Sequence, residues 1–154
     1  MKLILTLILF SLFHVNCISQ ISKKIIIPKN LLNQMNEMFA NDQKYRTYIS
    51  KNRSNLKKFK KDSLWKLQNV IDTYNTKRLI VIIKQYGYFD SGNSNSNIAI
   101  YAMLMHTPDE LKKEVTDLIN IEYEKGKIDE ASYGMITWHL EGRPKPIINF
   151  KKTD

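Results

Sequence analysis

The chain has 154 residues, 43% of them hydrophobic and 25% charged, which suits one globular domain and excludes a disordered polar chain. With 5 Gly and 4 Pro there is little room for an extended linker or a glycine-rich phosphate cradle. The formal net charge of +9 suits a solvated, lysine-rich surface or, alternatively, contact with an anionic partner, and the single cysteine excludes a disulfide framework.

The chain opens with Lys2 followed by the apolar run Leu3 to Phe13. That run is too short to span a bilayer as a helix and matches the n-region and h-region of a secretory signal peptide. Cleavage after Ser19 is expected, giving a signal peptide over residues 1–19 and a helical domain over 20–154. The runner-up is a lipoprotein signal with Cys17 as the lipidated residue, though His14 and Asn16 make a poor lipobox. Either way the mature domain has no thiol for catalysis. Its expected location is secreted or periplasmic.

Beyond the leader, Ile21 to Ile27 reads as an extended lead-in or an edge strand before Pro28. A first helix is predicted over Lys29 to Ser50, with Leu31, Met35, Met38, Tyr45 and Ile49 at helical spacing. Asp42 falls in the same apolar series and must find a donor; Arg46, four residues on, lies within reach. Residues 51–61 are basic and polar, a loop or an extension of that helix. Leu64, Leu67 and Ile71 predict a short second helix, Asp72 to Asn75 a break, and a third helix runs to Tyr86 with Leu79, Ile80, Ile83 and Tyr86 inward. Gly87 suits the stop.

Asp90 to Asn97 reads as a polar loop facing water. The fourth helix, Ile98 to His106, is apolar nearly all round and is expected to be central. Thr107-Pro108-Asp109-Glu110 has the form of a capping box opening a fifth helix, with Leu111, Val115, Leu118 and Ile119 inward and Gly126 at its end. Asp129 is expected to cap a sixth helix to Leu140, and Ile147 to Phe150 to pack back as a strap. The expected fold is all-α, a single compact bundle of five to six helices around the apolar fourth.

Asp42, Arg46, Asp72, Asn75 and His106 form the candidate site. A carboxylate beside a histidine can do acid–base work, so His106, Asp42 and Asp72 are the catalytic candidates. Arg46 and Asn75 are the ligand-binding ones. The competing reading is a buried ion-pair network pinning the first helix to the bundle. With neither a Cys pair nor a His-Glu-x-x-His motif, no metal and no cofactor is expected. Trp65 and Trp138 could stack on a sugar, but their helical spacing suits core or core-edge positions.

These motifs resemble an uncharacterised bacterial family, domain-of-unknown-function family 6624, over roughly residues 31–146. The resemblance rests on Asp42-Gln43-x-x-Arg46, then Asp72-x-x-Asn75 leading to Gln85-Tyr86-Gly87. It continues with His106 followed by Asp109, and with Tyr133-Gly134 leading to Gly142-Arg143-Pro144. It marks Asp42, Arg46, Asp72, Asn75, Gly87 and His106 and implies no activity. The chain departs from the pattern where the family has an Asp-Arg pair in its last helix; here stand Thr137-Trp138-His139. The family's closing Gln and Tyr-Gly-Thr-Gln segment is altered near Lys145–Phe150.

The leading expectation is a non-catalytic exported domain that binds an envelope component or another protein. Peripheral contact with an anionic membrane surface fits the early lysines, and export argues against nucleic acid. The alternative is a hydrolase using His106 with Asp42 or Asp72 and Arg46. An exposed apolar patch on the third or sixth predicted helix would point to a protein partner.

Overall fold

The computed structural model describes residues 24–144. The expected leader, Cys17 and the strap Ile147 to Phe150 lie outside the described residues. Five helices follow in order: α1 (Lys29–Lys51), α2 (Lys58–Tyr86), α3 (Ile100–Leu104), α4 (Lys112–Glu124) and α5 (Glu130–Leu140). A 3₁₀ turn, Asp109–Leu111, leads into α4. The all-α bundle is the expected class. Among the described residues no helix is long and apolar enough to cross a membrane.

Helix α1 starts at Pro28, whose fixed φ and free carbonyl begin the ladder through the Leu32 N–H at 3.0 Å. It buries Leu31, Met35, Met38, Asp42 and Ile49 on one face. Asn52 closes its end by donating both its backbone and its side-chain N–H to the Tyr48 carbonyl. Helix α2 then runs back along α1 and reaches α3, the 3₁₀ turn and α4; α5 packs on α3 and α4.

The break expected at residues 72–75 does not occur: α2 is one helix of 29 residues. The polar residues that suggest a break have other partners. Asp72 bonds Arg46, Asn75 donates to the Met38 carbonyl, and the Thr73 hydroxyl donates back to Asn69. A polar side chain satisfied across a helix pair has no need to unwind its own helix. Leu67, expected inward, is half exposed.

Gly87 ends α2 at φ +78°, ψ 171°, a conformation open essentially to glycine, and its N–H closes on the Ile83 carbonyl at 2.8 Å. The stop turns Tyr88 and Phe89 into the core. Buried Glu122 of α4 accepts the Tyr88 N–H at 2.9 Å and the Lys125 ammonium at 2.7 Å. A Cβ on Gly87 would sit 3.2 Å from the Glu122 carboxylate. Gly87→Ala is therefore expected to lose about 1–3 kcal/mol of stability, read as a lower urea midpoint. An unchanged midpoint would mean that the turn relaxes without cost.

The loop at Asp90–Asn97 does not simply face water: Ser94 and Ser96 are buried. Asp90 Oδ1 accepts the N–H groups of Gly92 and Asn93, an Asx turn, and Asn95 clasps both backbone groups of Ile27 at 2.8 and 3.1 Å. Ile25 donates to the Asn93 carbonyl and makes a lone parallel bridge with Ser94. The polar loop is a bracket that holds the lead-in and seats Ile27 in the core.

The central apolar segment is helical over only five residues, not nine. It still lies inside: Ile98, Ile100, Met103 and Leu104 are buried. The capping box does not form. The Thr107 hydroxyl donates backward to the Leu104 carbonyl at 2.7 Å, closing α3 instead of opening α4. Asp129 does cap α5, accepting the Ser132 N–H at 2.8 Å, and the Ser132 hydroxyl together with that N–H holds its carboxyl below the usual range.

Candidate functional site

Four of the five candidates converge where α1, α2 and the turn after α3 meet. Asp42 lies in the buried stripe of α1 at 1% exposure, because its position follows Leu31, Met35 and Met38 around the helix. Arg46 sits one turn on. Its Nη1 donates to the Asp42 backbone carbonyl at 2.8 Å and stands 3.5 Å from the Asp42 carboxylate. The same guanidinium makes a two-pronged pair with Asp72 of α2, at 2.9 and 2.7 Å. Its other face lies over Trp65, 6.0 Å from the ring centre.

His106 approaches from the opposite side. The backbone after α3 folds back as the His106 N–H bonds Met103 and the Thr107 N–H bonds Leu104. The Nδ1 atom thereby stands 3.0 and 3.1 Å from the two Asp42 oxygens. Asp42, not Asp72, is the histidine's partner. Two carboxylates thus face one guanidinium. Gln43 adds a donor to Asp42 Oδ2 at 2.6 Å.

Asn75 does not join the charged groups. Its amide donates to the Met38 carbonyl and ties α2 to α1 nearby. Gln68, not expected in the site, is central to it. It is fully buried, donates to both the Asp42 carbonyl and Asp72 Oδ1 at 2.9 Å, and accepts the Tyr45 N–H at 3.2 Å. Its signal in the sequence was the i,i+4 step to Asp72 on the inward face of α2.

Every buried side-chain polar atom among the described residues has a hydrogen-bond partner. Arg46 lines two shallow surface clefts, one with Arg53, Lys61 and Trp65 and one with Gln43, Thr47 and Lys51; Asp42, Asp72, Asn75 and His106 line neither. The His106 side chain keeps 19% exposure, and no bond to its Nε2 occurs among the described residues. His139 is separate: its Nδ1 meets the Met135 carbonyl on exposed α5, and its ring meets Trp138 edge-on. Trp138 is itself partly exposed. No group of three or more metal-ligating side chains occurs among the described residues. No family model, no curated protein and no solved structure matches the chain.

Proposed function

We propose that this is an exported domain that works by binding, not by catalysis, and that its basic half meets an anionic component of the cell envelope. On this reading the Asp42–Arg46–Asp72–His106 cluster is the internal tie that holds that half together. The supporting observation is the distribution of charge. Residues 43–89, which form the last third or so of α1 and all of α2, hold twelve Lys and Arg against two Asp. Of those two, Asp72 is taken by Arg46 and Asp62 by Lys58. Residues 90–144 hold ten acidic and five basic residues. A molecule so polarised orients in the field of a polyanion and presents one end to it.

The test is retention of the full chain on immobilised dextran sulfate, eluted with salt. The wild type is expected to elute late and Lys57→Gln/Lys60→Gln/Lys61→Gln early, while His106→Gln elutes with the wild type. Equal elution of the wild type and the triple variant overturns the reading.

One observation favours the hydrolase alternative. Asp42 holds Nδ1 of His106 while Nε2 is left without a protein partner among the described residues, an arrangement that suits a general base. Hydrolysis of any ester in a substrate panel that disappears in a folded His106→Gln variant would establish it.

A further inference from the structure

Helix α2 is apolar on two faces. The inward face carries Leu64, Leu79, Ile82 and Ile83 into the core. On the outward side Phe59, Leu67, Val70, Tyr74 and Val81 are exposed by half or more, with Phe59 at 69% and Val70 at 68%. At 100° per residue these five fall within one stripe on the side away from the core, over about 33 Å of helix. Scattered apolar residues on a surface need no explanation; a straight row along one helix does.

Lysines border the row. Lys66, Lys77 and Lys84 project beside Phe59 and Val70 on the same helical register. Lys84 pairs with Glu114 of α4, whereas neither Lys66 nor Lys77 has a carboxylate partner among the described residues. On α2 itself the acidic residue flanking the stripe is Asp62, and Lys58 already holds it at 3.2 Å.

We infer that the outward face of α2 is a docking surface for the headgroup layer of an anionic phospholipid bilayer. This rests on the proposed meeting of the basic half with an anionic partner, and it names that partner's chemistry. A polyanionic sugar would satisfy the lysines and leave the five apolar side chains in water. A bilayer interface takes both: aromatic and aliphatic groups enter the acyl boundary while lysine stems lie along it with their ammonium groups at the phosphates. A second copy packed stripe to stripe would set Lys66 and Lys77 against their own equivalents.

The full 154-residue chain is sedimented with phosphatidylcholine vesicles, with and without phosphatidylglycerol. The apolar run Leu3 to Phe13 can adhere to either lipid, so the readout is the ratio of the two binding constants. The wild type is expected to prefer the anionic vesicles, and to lose that preference as salt is raised. Val70→Ser/Tyr74→Ser is expected to weaken anionic binding about tenfold. Lys66→Gln/Lys77→Gln is expected to weaken it by about fivefold per lysine. Leu67→Ser/Val81→Ser repeats the first test should the first pair disturb folding. Retention on dextran sulfate without vesicle preference overturns the bilayer inference and leaves the binding function standing; failure of both overturns both. Vesicle binding indifferent to the serine variants, or a dimer that they dissolve, also overturns it.

Discussion

Arg46→Met is expected to remove roughly 3–5 kcal/mol of stability, the range for breaking a buried pair and leaving its partner charged and unmatched. Two carboxylates depend on that guanidinium. Asp72 loses both prongs of its pair, at 2.9 and 2.7 Å, and Asp42 loses the cation 3.5 Å away. Gln68 still donates to Asp72, and Gln43 and His106 still face Asp42, but one amide cannot replace a bidentate cation. The measurement is urea unfolding followed by far-UV circular dichroism, with a fall in midpoint at constant slope. Arg46→Met/Asp72→Leu is the companion, since removing both charges is far cheaper than removing one. A double variant more stable than the single one identifies Asp72 as the stranded group. A loss below about 1 kcal/mol in the single variant would show that the cluster does not tie α1 to α2.

The site was legible where it depended on one helix. Asp42 and Arg46 share a face by their i,i+4 spacing, and an aspartate inside an apolar stripe announces that it needs a donor. Asp72 and Asn75 stand out in the sequence as polar residues amid apolar ones, a pattern that suggests a helix break. Short polar side chains compete for backbone groups in isolation, and only the presence of α1 shows what they bond instead. Gln68 was missed for the same reason, since its three partners come from two helices.

Local signals were sound where nothing distant competed. Asp129 caps α5 and Gly87 stops α2 as expected. The capping box at Thr107–Glu110 failed because the buried hydroxyl of Thr107 was claimed by the Leu104 carbonyl. On composition alone the polar loop at residues 90–97 suggests a solvent-facing segment. Its asparagines instead supply the backbone partners that Ile25 and Ile27 need in order to lie against the bundle.

The segment Ile98 to His106 shows where periodicity runs out, because a run that is apolar all round carries no inward direction. The structure assigns one, so substitutions along it should divide sharply. Leu104→Ala is expected to cost about 2–5 kcal/mol and Tyr101→Ala about 1–2 kcal/mol. Leu104 is fully buried, whereas Tyr101 is 37% exposed. The Leu104 cost should lie toward the upper end. Its carbonyl is held by both the N–H and the hydroxyl of Thr107, so the backbone cannot easily move to close the cavity. The same turn aims His106 at Asp42, which ties the site to this stretch of core. Urea midpoints of the two variants test the division. Comparable losses would mean that α3 presents both faces to the core.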